Sequence, residues 1–418
     1  MTIIKQTEES RIYFGYFVAG AAFLSMVVIW ASFYSFGIFL QPVLSEFHWS
    51  RANISGAFSF CSITMGLIGI VMGGLNDRFG PRLVMSLCAI LLGLGFSLMS
   101  RLGSIWHLYL FYGAILGIGM GGSFVPLMTT VARWFSRRRS LMTGVVSSGI
   151  GIGALVGPLL VNRFISSFGW RTSYLFMGGV VFGTLLLSAQ FMRRDPFQIG
   201  LEIEGGADDN KEGRTREAQG LSPGEAYRTR SFWVLFFMIF CLGFCVFSVM
   251  VHVAAHAMDL GLSSGMAARI LGTIGGFSIV GKILIGRMAD LLGNRKAFLL
   301  GFLLMAGALF WMPFATSSRM LYGFAVLFGI GYGGCVTAES PLVARLFGLG
   351  SHGLILGIVA FGFTIGGAIG PWLTGYVFDI TKSYQFAFLG CAIISSVGFV
   401  LTFFVSSKPV SSVTAREK

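Results

Sequence analysis

The sequence predicts an all-α integral membrane protein with twelve membrane-crossing helices, arranged as two six-helix halves related by pseudo-symmetry. Three observations carry that expectation. Of the 418 residues, 55% are hydrophobic and only 11% charged, with a mean hydropathy of +0.80. A soluble domain carries roughly 25% charged residues, so this chain cannot cover itself with a water-compatible surface and lipid must be its solvent. Apolar stretches of the length a spanning helix needs, about 20 residues, recur along the chain. Finally, the ten residues Gly73–Arg82, GGLNDRFGPR, return 213 positions later as GRMADLLGNR at Gly286–Arg295. The echo continues: Gly121-Gly122 and Val131-Ala132-Arg133 match Gly333-Gly334 and Val343-Ala344-Arg345 at an offset of 212, and Gly144 and Gly157-Pro158 match Gly357 and Gly370-Pro371 at 213. A unit of about 200 residues is present twice, and a repeat on that scale governs the fold.

The first apolar stretch, 14–40, follows the polar segment TIIKQTEESR and is long enough to span, so no cleavable signal peptide is apparent. The second, 53–75, runs into the first copy of the repeated motif, and the third covers 82–100. The fourth (105–132) and fifth (140–162) carry the glycine runs GIGMGG and SSGIGIGALVGP, and the sixth is 173–192. Residues 193–230 then hold RRDP, GADDNKEGRTREAQ and SPGEAYRTR, with no apolar period, and are expected to form a flexible linker. The remaining six stretches are 232–257, 266–286 with the second motif at its end, 297–315, 320–343, 353–378 with FTIGGAIGP, and 385–406. Residues 1–192 thus form one half, 193–230 the linker and 231–418 the other half. No strand precedes the glycine runs, so they denote close helix packing rather than nucleotide loops.

Orientation follows from the Lys and Arg residues. With the N-terminus inside, Lys5, Arg11, Arg78, Arg82, Arg133, Arg137–Arg139, Arg193, Arg194, Arg287, Arg295, Lys296, Arg345 and the basic linker and tail residues are inner. Arg51, Arg101, Arg163, Arg171, Arg269, Arg319 and Lys382 are outer. Both termini are therefore expected in the cytoplasm, with the cell (inner) membrane as the location. The net charge of +13 is accounted for by inner loops facing anionic lipid, so nucleic acid is not an expected partner. All six cysteines fall within apolar stretches and no His or carboxylate cluster accompanies them, so they are read as small buried hydrophobes, with no metal or cofactor expected.

Six plus six helices with the GxxxDRxGxR-type motif resemble the major facilitator superfamily, in which two halves rock around a midplane site. A narrower resemblance spans nearly the whole chain. SFGIFLQPVLSEFHWSRANISGAFS (Ser35–Ser59), ARWFSRRRSLMTG (Ala132–Gly144), GWRTSYLFMGG (Gly169–Gly179) and VHVAAHAMDLGLSSGMAARIL (Val251–Leu271) are similar to the monocarboxylate and oxalate–formate transporter branch. That branch moves small carboxylates by proton symport or anion exchange. The motif chemistry makes independent sense: Asp77 and Asp290 sit at inner helix ends near Arg78 and Arg82, or Arg287 and Arg295, and together they are expected to latch the cytoplasmic side. Anchoring of the inner ends with a tight turn is the plainer alternative.

Lys282 is the only Lys or Arg deep in a predicted helix, and a charge near the bilayer centre costs on the order of 3 kcal/mol on insertion scales. Steps of three and four along the eighth stretch read Leu271, Gly275, Ser278, Lys282 and Gly286, a mostly small or polar face that suits a water-lined cavity. Snorkelling is the alternative, since Arg287 lies only five residues, about 7.5 Å, further on. A helical lysine points toward its helix N-terminus, however, here the membrane middle. The resemblance implies a substrate site, because the branch carries a carboxylate-binding Arg four residues before the loop glycine, the place that Lys282 holds before Gly286. Two departures matter. A lysine offers a point charge rather than a bidentate grip, and Ser278 stands where animal monocarboxylate carriers have an Asp. Their first-helix Lys is also missing, with Tyr34 near that position, as is the exchanger's cation on the eleventh helix. One fixed cation suits a monoanion. Burial disfavours a charged lysine, so a dry empty site would hold Lys282 neutral until proton and carboxylate arrive together.

Tyr34, Tyr332 and Phe361 fall near mid-helix and are expected to shape the pocket with Ser278. His252 and His256, one turn apart near the outer end of the seventh helix, either handle protons or hydrogen-bond at the interface. Glu339 either couples protons or pairs with inner-surface arginines. No nucleophile–base pair, metal cluster or ATP motif supports an enzyme. The expected function is a monomeric secondary transporter of lactate- or pyruvate-like monocarboxylates, with protons or a counter-anion as co-substrate and Lys282 pairing the carboxylate. Exchange of the oxalate–formate type, or efflux of a neutral compound, are the alternatives.

Overall fold

The computed structural model describes residues 13–49, 51–201 and 220–406, and every element among them is helical. The terminal stretches assigned to the cytoplasm and most of the linker lie outside the described residues. Among the described residues, eleven helical runs are long and apolar enough to cross a membrane. One of them, Arg139–Phe191, is 53 residues long and turns at Gly169, whose φ of 76° and ψ of 162° only glycine adopts readily. That turn splits it into two spans, so the count is twelve.

The spans are α1 (Phe14–Tyr34), α2 (Arg51–Phe79), α3 (Pro81–Met99), α4 (Ile105–Trp134), α5 (139–168), α6 (170–191), α7 (Arg230–Asp259), α8 (Ser264–Leu292), α9 (Asn294–Trp311), α10 (Ser318–Phe347), α11 (His352–Thr381) and α12 (Tyr384–Phe403). Helix α1 ends at Tyr34, short of residue 40; the Ser35 hydroxyl donates back to Ala31 O (2.7 Å), and the chain restarts as Phe36–Phe47. Helix α4 is composite: a wide π-type stretch at Tyr109–Leu116 and a break before Val125 interrupt it. The repeated motif is not a loop but the last turns of α2 and α8, ended by Gly80 (φ 84°) and Gly293 (φ 95°). This is why both helices run further inward than apolarity alone suggests.

The halves repeat each other in space. Helix α1 packs on α5, α2 on α4 and α3 on α6; six helices later α7 packs on α11, α8 on α10 and α9 on α12. The halves meet along two seams, α2 against α11 and α5 against α8. Large apolar side chains cover the outside, among them Leu159, Leu187 and Trp372, each about 70% exposed, which suits contact with acyl chains. The chain is a multi-pass membrane protein.

Two of the strings that carry the family resemblance meet at the outer end of the first half. Glu46 accepts bonds from Trp170 Nε1 (2.9 Å) and Arg171 Nη1 (2.6 Å), and the Phe39 and Tyr174 rings stack at 3.7 Å. The Arg171 hydrogen bond holds the Glu46 carboxyl below its ordinary range. Both ends of the linker are built. Pro196–Ile199 forms one turn, and Pro223–Tyr227 is a short helix with a Ser222/Glu225 capping box, tied to α10 by Leu221 N–H donating to Phe347 O (2.8 Å).

Candidate transport site

Lys282 lies on the α5–α8 seam with 1% of its surface exposed. The α8 face that carries it, from Gly275 through Ile279 to Gly286, lies against Gly151, Gly144 and Ser140 of α5. The lysine carbonyl is level with Gly144, and its Nζ donates to Ser147 O at 3.0 Å. Ser147 is three residues, about 4.5 Å, further from the inner end of α5 than Gly144. The side chain therefore points toward the membrane middle, and snorkelling to the inner headgroups does not occur. The Nζ also sits 5.9 Å from the Tyr332 ring centroid, within cation–π range. Among the described residues no Asp or Glu pairs with Lys282.

Tyr332 is half-buried on α10. Tyr34 is 43% exposed and packs beside Trp30 and Phe33, with centroids 5.7 and 5.8 Å away. Lys282 and Tyr332 are thus neighbours, while the ring contacts of Tyr34 are with its own helix. Ser278 is one turn from Lys282, but its hydroxyl donates within its own helix, to Gly275 O (2.7 Å). Phe361 lies on the other seam, against Gly66 of α2.

His252 is held at both nitrogens: Nε2 to Pro371 O (3.0 Å) and Nδ1 to the Tyr384 hydroxyl (3.2 Å). A carbonyl only accepts, so Nε2 donates to Pro371 O, and the ring staples α7, α11 and α12 together. His256, 7% exposed, is wedged between the Tyr384 and Phe388 rings. Glu339 is 3% exposed and its Oε1 has no hydrogen-bond partner. Among the described residues no arginine pairs with Glu339. Six residues rotate a helix by about 600°, which places Glu339 and Arg345 on different faces of α10.

At the inner end the two motif aspartates do the same thing in opposite directions. Asp77 of α2 accepts the Gly353 and Leu354 N–H groups (both 3.0 Å) at the start of α11. Asp290 of α8 accepts the Ser140 and Leu141 N–H groups (2.7 and 2.8 Å) at the start of α5. Donors and acceptors are each related by the 213-residue offset. Each carboxylate satisfies orphan N–H groups of a helix in the other half and sits at the positive end of its dipole. Gly73 and Gly353 touch so closely beside Asp77 that a Cβ on either would collide with the other's carbonyl. The inner end is therefore closed across both seams.

The cation beside Asp77 is Arg133, at 2.9 Å, whose Nη2 also donates to Leu349 O of the other half (2.6 Å). Arg78 and Arg82 do not fill that place. Arg78 is exposed over the Phe79 ring, and Arg82 bonds Gln190 of α6. Arg295 donates to Phe403 O of α12 (2.8 Å). These contacts of Arg78, Arg82 and Arg295 lie within their own halves. The sequence marked Arg133 only through the repeated Val-Ala-Arg, and it did not mark the helix N-termini, because a backbone N–H leaves no residue-type signature. All six cysteines are free and buried, and no group of His, Cys, Asp and Glu suited to a metal occurs among the described residues.

Comparison with known proteins agrees with this architecture. The Major Facilitator Superfamily profile matches residues 22–283 and 264–418. The chain is 27% identical over 410 residues to monocarboxylate transporter 13 of Bos taurus, covering 95% of this chain and 92% of that protein. It is 26% identical over 435 residues to human monocarboxylate transporter 7, covering 90% and 83%. In fold it is similar to the crystal structure of the human organic anion transporter MFSD10 (TETRAN), with a TM-score of 0.74, 18% identity and coverage of 93% and 99%. The chain is a membrane transporter rather than an enzyme, and it belongs to the Major Facilitator Superfamily.

Proposed function

We propose that the protein carries small monocarboxylates of the lactate or pyruvate type across the cell (inner) membrane by alternating access coupled to protons. The observation that carries this is Lys282: a buried cation at the seam between two moving halves, with no acidic partner among the described residues. An uncompensated buried ammonium is costly, and a substrate carboxylate supplies the missing charge. One of its three N–H donors is held by Ser147 O. Tyr332 and Tyr34 then border the substrate's short apolar part, and Ser278 and Phe361 bound the site along α8 and the other seam. Lys282 and the unpartnered Glu339 are the groups that take up the proton, and His252 lends rigidity to the outer end. The similarity to monocarboxylate transporters favours the same substrate class.

Asp77 and Asp290 act as the latch of the inner end, with Arg78, Arg82 and Arg295 bracing their own halves around it. In this proposal both termini and the 193–230 linker are cytoplasmic, and one chain is the working unit. Proteoliposomes loaded with a pH-sensitive dye test the coupling. An inward gradient of lactate, pyruvate or acetate is expected to acidify the lumen with saturable kinetics. Saturable uptake without proton entry removes symport, and uptake that appears only when oxalate or formate is loaded inside assigns exchange instead.

A further inference from the structure

Two irregularities of the first half are replaced by regular helix in the second, and they face each other. The first is the π-type stretch of α4, Tyr109–Leu116, a rare form that occurs mostly as single turns inside α-helices and frequently at functional sites. The repeat shows how it arises. Helix α4 starts behind Ser104, whose hydroxyl accepts the His107 N–H (3.3 Å), and α10 starts behind Ser317, whose hydroxyl accepts the Met320 N–H (3.4 Å); both pairs are 213 residues apart. Leu108, Tyr109 and Phe111 keep that offset to Leu321, Tyr322 and Phe324. From Gly117 the offset is 212, because Gly117-Ile118-Gly119 matches Gly329-Ile330-Gly331. One extra residue therefore lies between Phe111 and Gly117, inside the π stretch, and α10, which lacks it, is a single α-helix from Ser318 to Phe347.

An extra residue in a plain α-helix would turn everything beyond it by about 100°. The packing shows that this does not happen. Gly117 lies against Cys61 O of α2 and Gly119 against Leu92 of α3, while Gly329 lies against Ile274 O of α8 and Gly331 against Met305 of α9. Cys61 and Leu92 are each 213 residues from their counterparts Ile274 and Met305. The π stretch thus absorbs the extra residue and keeps the inner part of α4 in phase. The second irregularity is the break in α1 at Ser35, whose match, Ser248, lies within the unbroken α7. The two meet through rings. Tyr112 of the π stretch packs on Phe36, the first residue after the break (4.5 Å), Phe36 on Phe58 of α2 (5.2 Å), and Phe58 on Phe33 before the break (4.8 Å). Tyr112 is 2% exposed, and among the described residues its hydroxyl has no hydrogen-bond partner, a costly arrangement of the kind in which strain is stored.

We propose that these paired interruptions form a joint, and that the outer end closes by bending of the first half alone. The Phe36–Phe47 segment and the part of α4 outward of the π stretch move together, while α7 and α10 stay straight. A helix with a spare residue bends there without unpacking the glycines further in. This rests on the alternating access proposed above. Spin labels on the full-length protein in lipid nanodiscs test it without any substrate. Trp106→Cys at the outer end of α4 and Phe314→Cys between α9 and α10, at positions 78% and 71% exposed, report the outer end, and Arg137→Cys with Leu291→Cys report the inner end. Asp77→Asn with Asp290→Asn removes both latch carboxylates and is expected to lengthen the inner distance and shorten the outer one. With Ala114 deleted, α4 becomes the equal of α10: the protein should still fold, with an unfolding temperature near that of the wild type, lengthen the inner distance as before and lose most of the outer shortening. Deletion of Val326, the match of Ala114 in α10, takes a residue that α10 cannot spare, turns Gly329 and Gly331 away from their neighbours and should abolish folding. Equal outer shortening with and without Ala114 overturns the joint. So does loss of folding on deletion of Ala114, which would make the π stretch a requirement of packing. If the latch variant with α4 intact leaves the outer distance unchanged, alternating access itself falls, and the joint with it.

Discussion

Neutralising the two latch aspartates should open the inner end, and by unequal amounts. Asp290→Asn keeps the shape of the side chain but removes the charge from the α5 N-terminus. A carboxylate in that position contributes typically 0.3–1 and up to about 2 kcal/mol, so the closed state should lose roughly tenfold in population. Asp77→Asn loses the same term at α11 and also leaves Arg133 without its nearest anion; the side chains of that pair are only 6% and 12% exposed. Breaking a buried pair costs about 3–5 kcal/mol, less here because Arg133 keeps Leu349 O at 2.6 Å and Asp195 at 3.6 Å. A combined loss of about 3 kcal/mol corresponds to a shift of roughly a hundredfold. Spin labels at Arg137→Cys and Leu291→Cys straddle the α5–α8 seam, and the native cysteines are all buried. Electron–electron distance distributions should lengthen modestly in Asp290→Asn and strongly in Asp77→Asn. Unchanged distributions in both variants, or a larger opening in Asp290→Asn, would refute this latch.

Three further outcomes follow. Glu339→Gln should keep counterflow of substrate but lose proton-driven accumulation, measured as the steady-state uptake ratio under an imposed pH gradient; an undiminished ratio would remove Glu339 from coupling. His252→Leu should lower thermal stability by about 1–3 kcal/mol, the cost of orphaning the partners of a buried polar group, with KM unchanged; a pH-shifted transport profile would instead give it a proton-handling role. Gly353→Val should prevent α2 and α11 from meeting and lengthen an inner-end distance across that seam, since a side chain there collides with Gly73.

Much of this architecture was legible in the sequence because lipid imposes a simple rule, about 20 apolar residues per span, and because the repeat is written twice. Lys282 stood out for the same reason: a cation in an apolar run is rare. What stayed hidden depends on partners that residue identity does not encode. The acceptor role of Asp77 and Asp290 is directed at backbone N–H groups, so the neighbouring arginines drew attention that belongs to Arg133. The break at Ser35 and the composite form of α4 fall within uniformly apolar stretches, where hydropathy carries no mark of them. Glu339 looked able to reach an arginine by sequence distance, and only helix phase shows that it does not. The bonds of His252 to Pro371 and Tyr384 depend on neighbours more than a hundred residues away, which its own residue type does not name.

The central claim is that Lys282 holds the substrate carboxylate, and counterflow tests it most directly. With radiolabelled lactate, pyruvate, acetate, formate and oxalate, the wild type should exchange monocarboxylates. A cation–carboxylate contact at 4 Å is worth about 4 kcal/mol at the effective dielectric of a protein surface, so Lys282→Ala should lose on the order of 10²–10³-fold in apparent affinity while remaining folded. Lys282→Arg should recover part of that loss. Wild-type counterflow in Lys282→Ala would contradict the assignment and place the substrate elsewhere in the bundle.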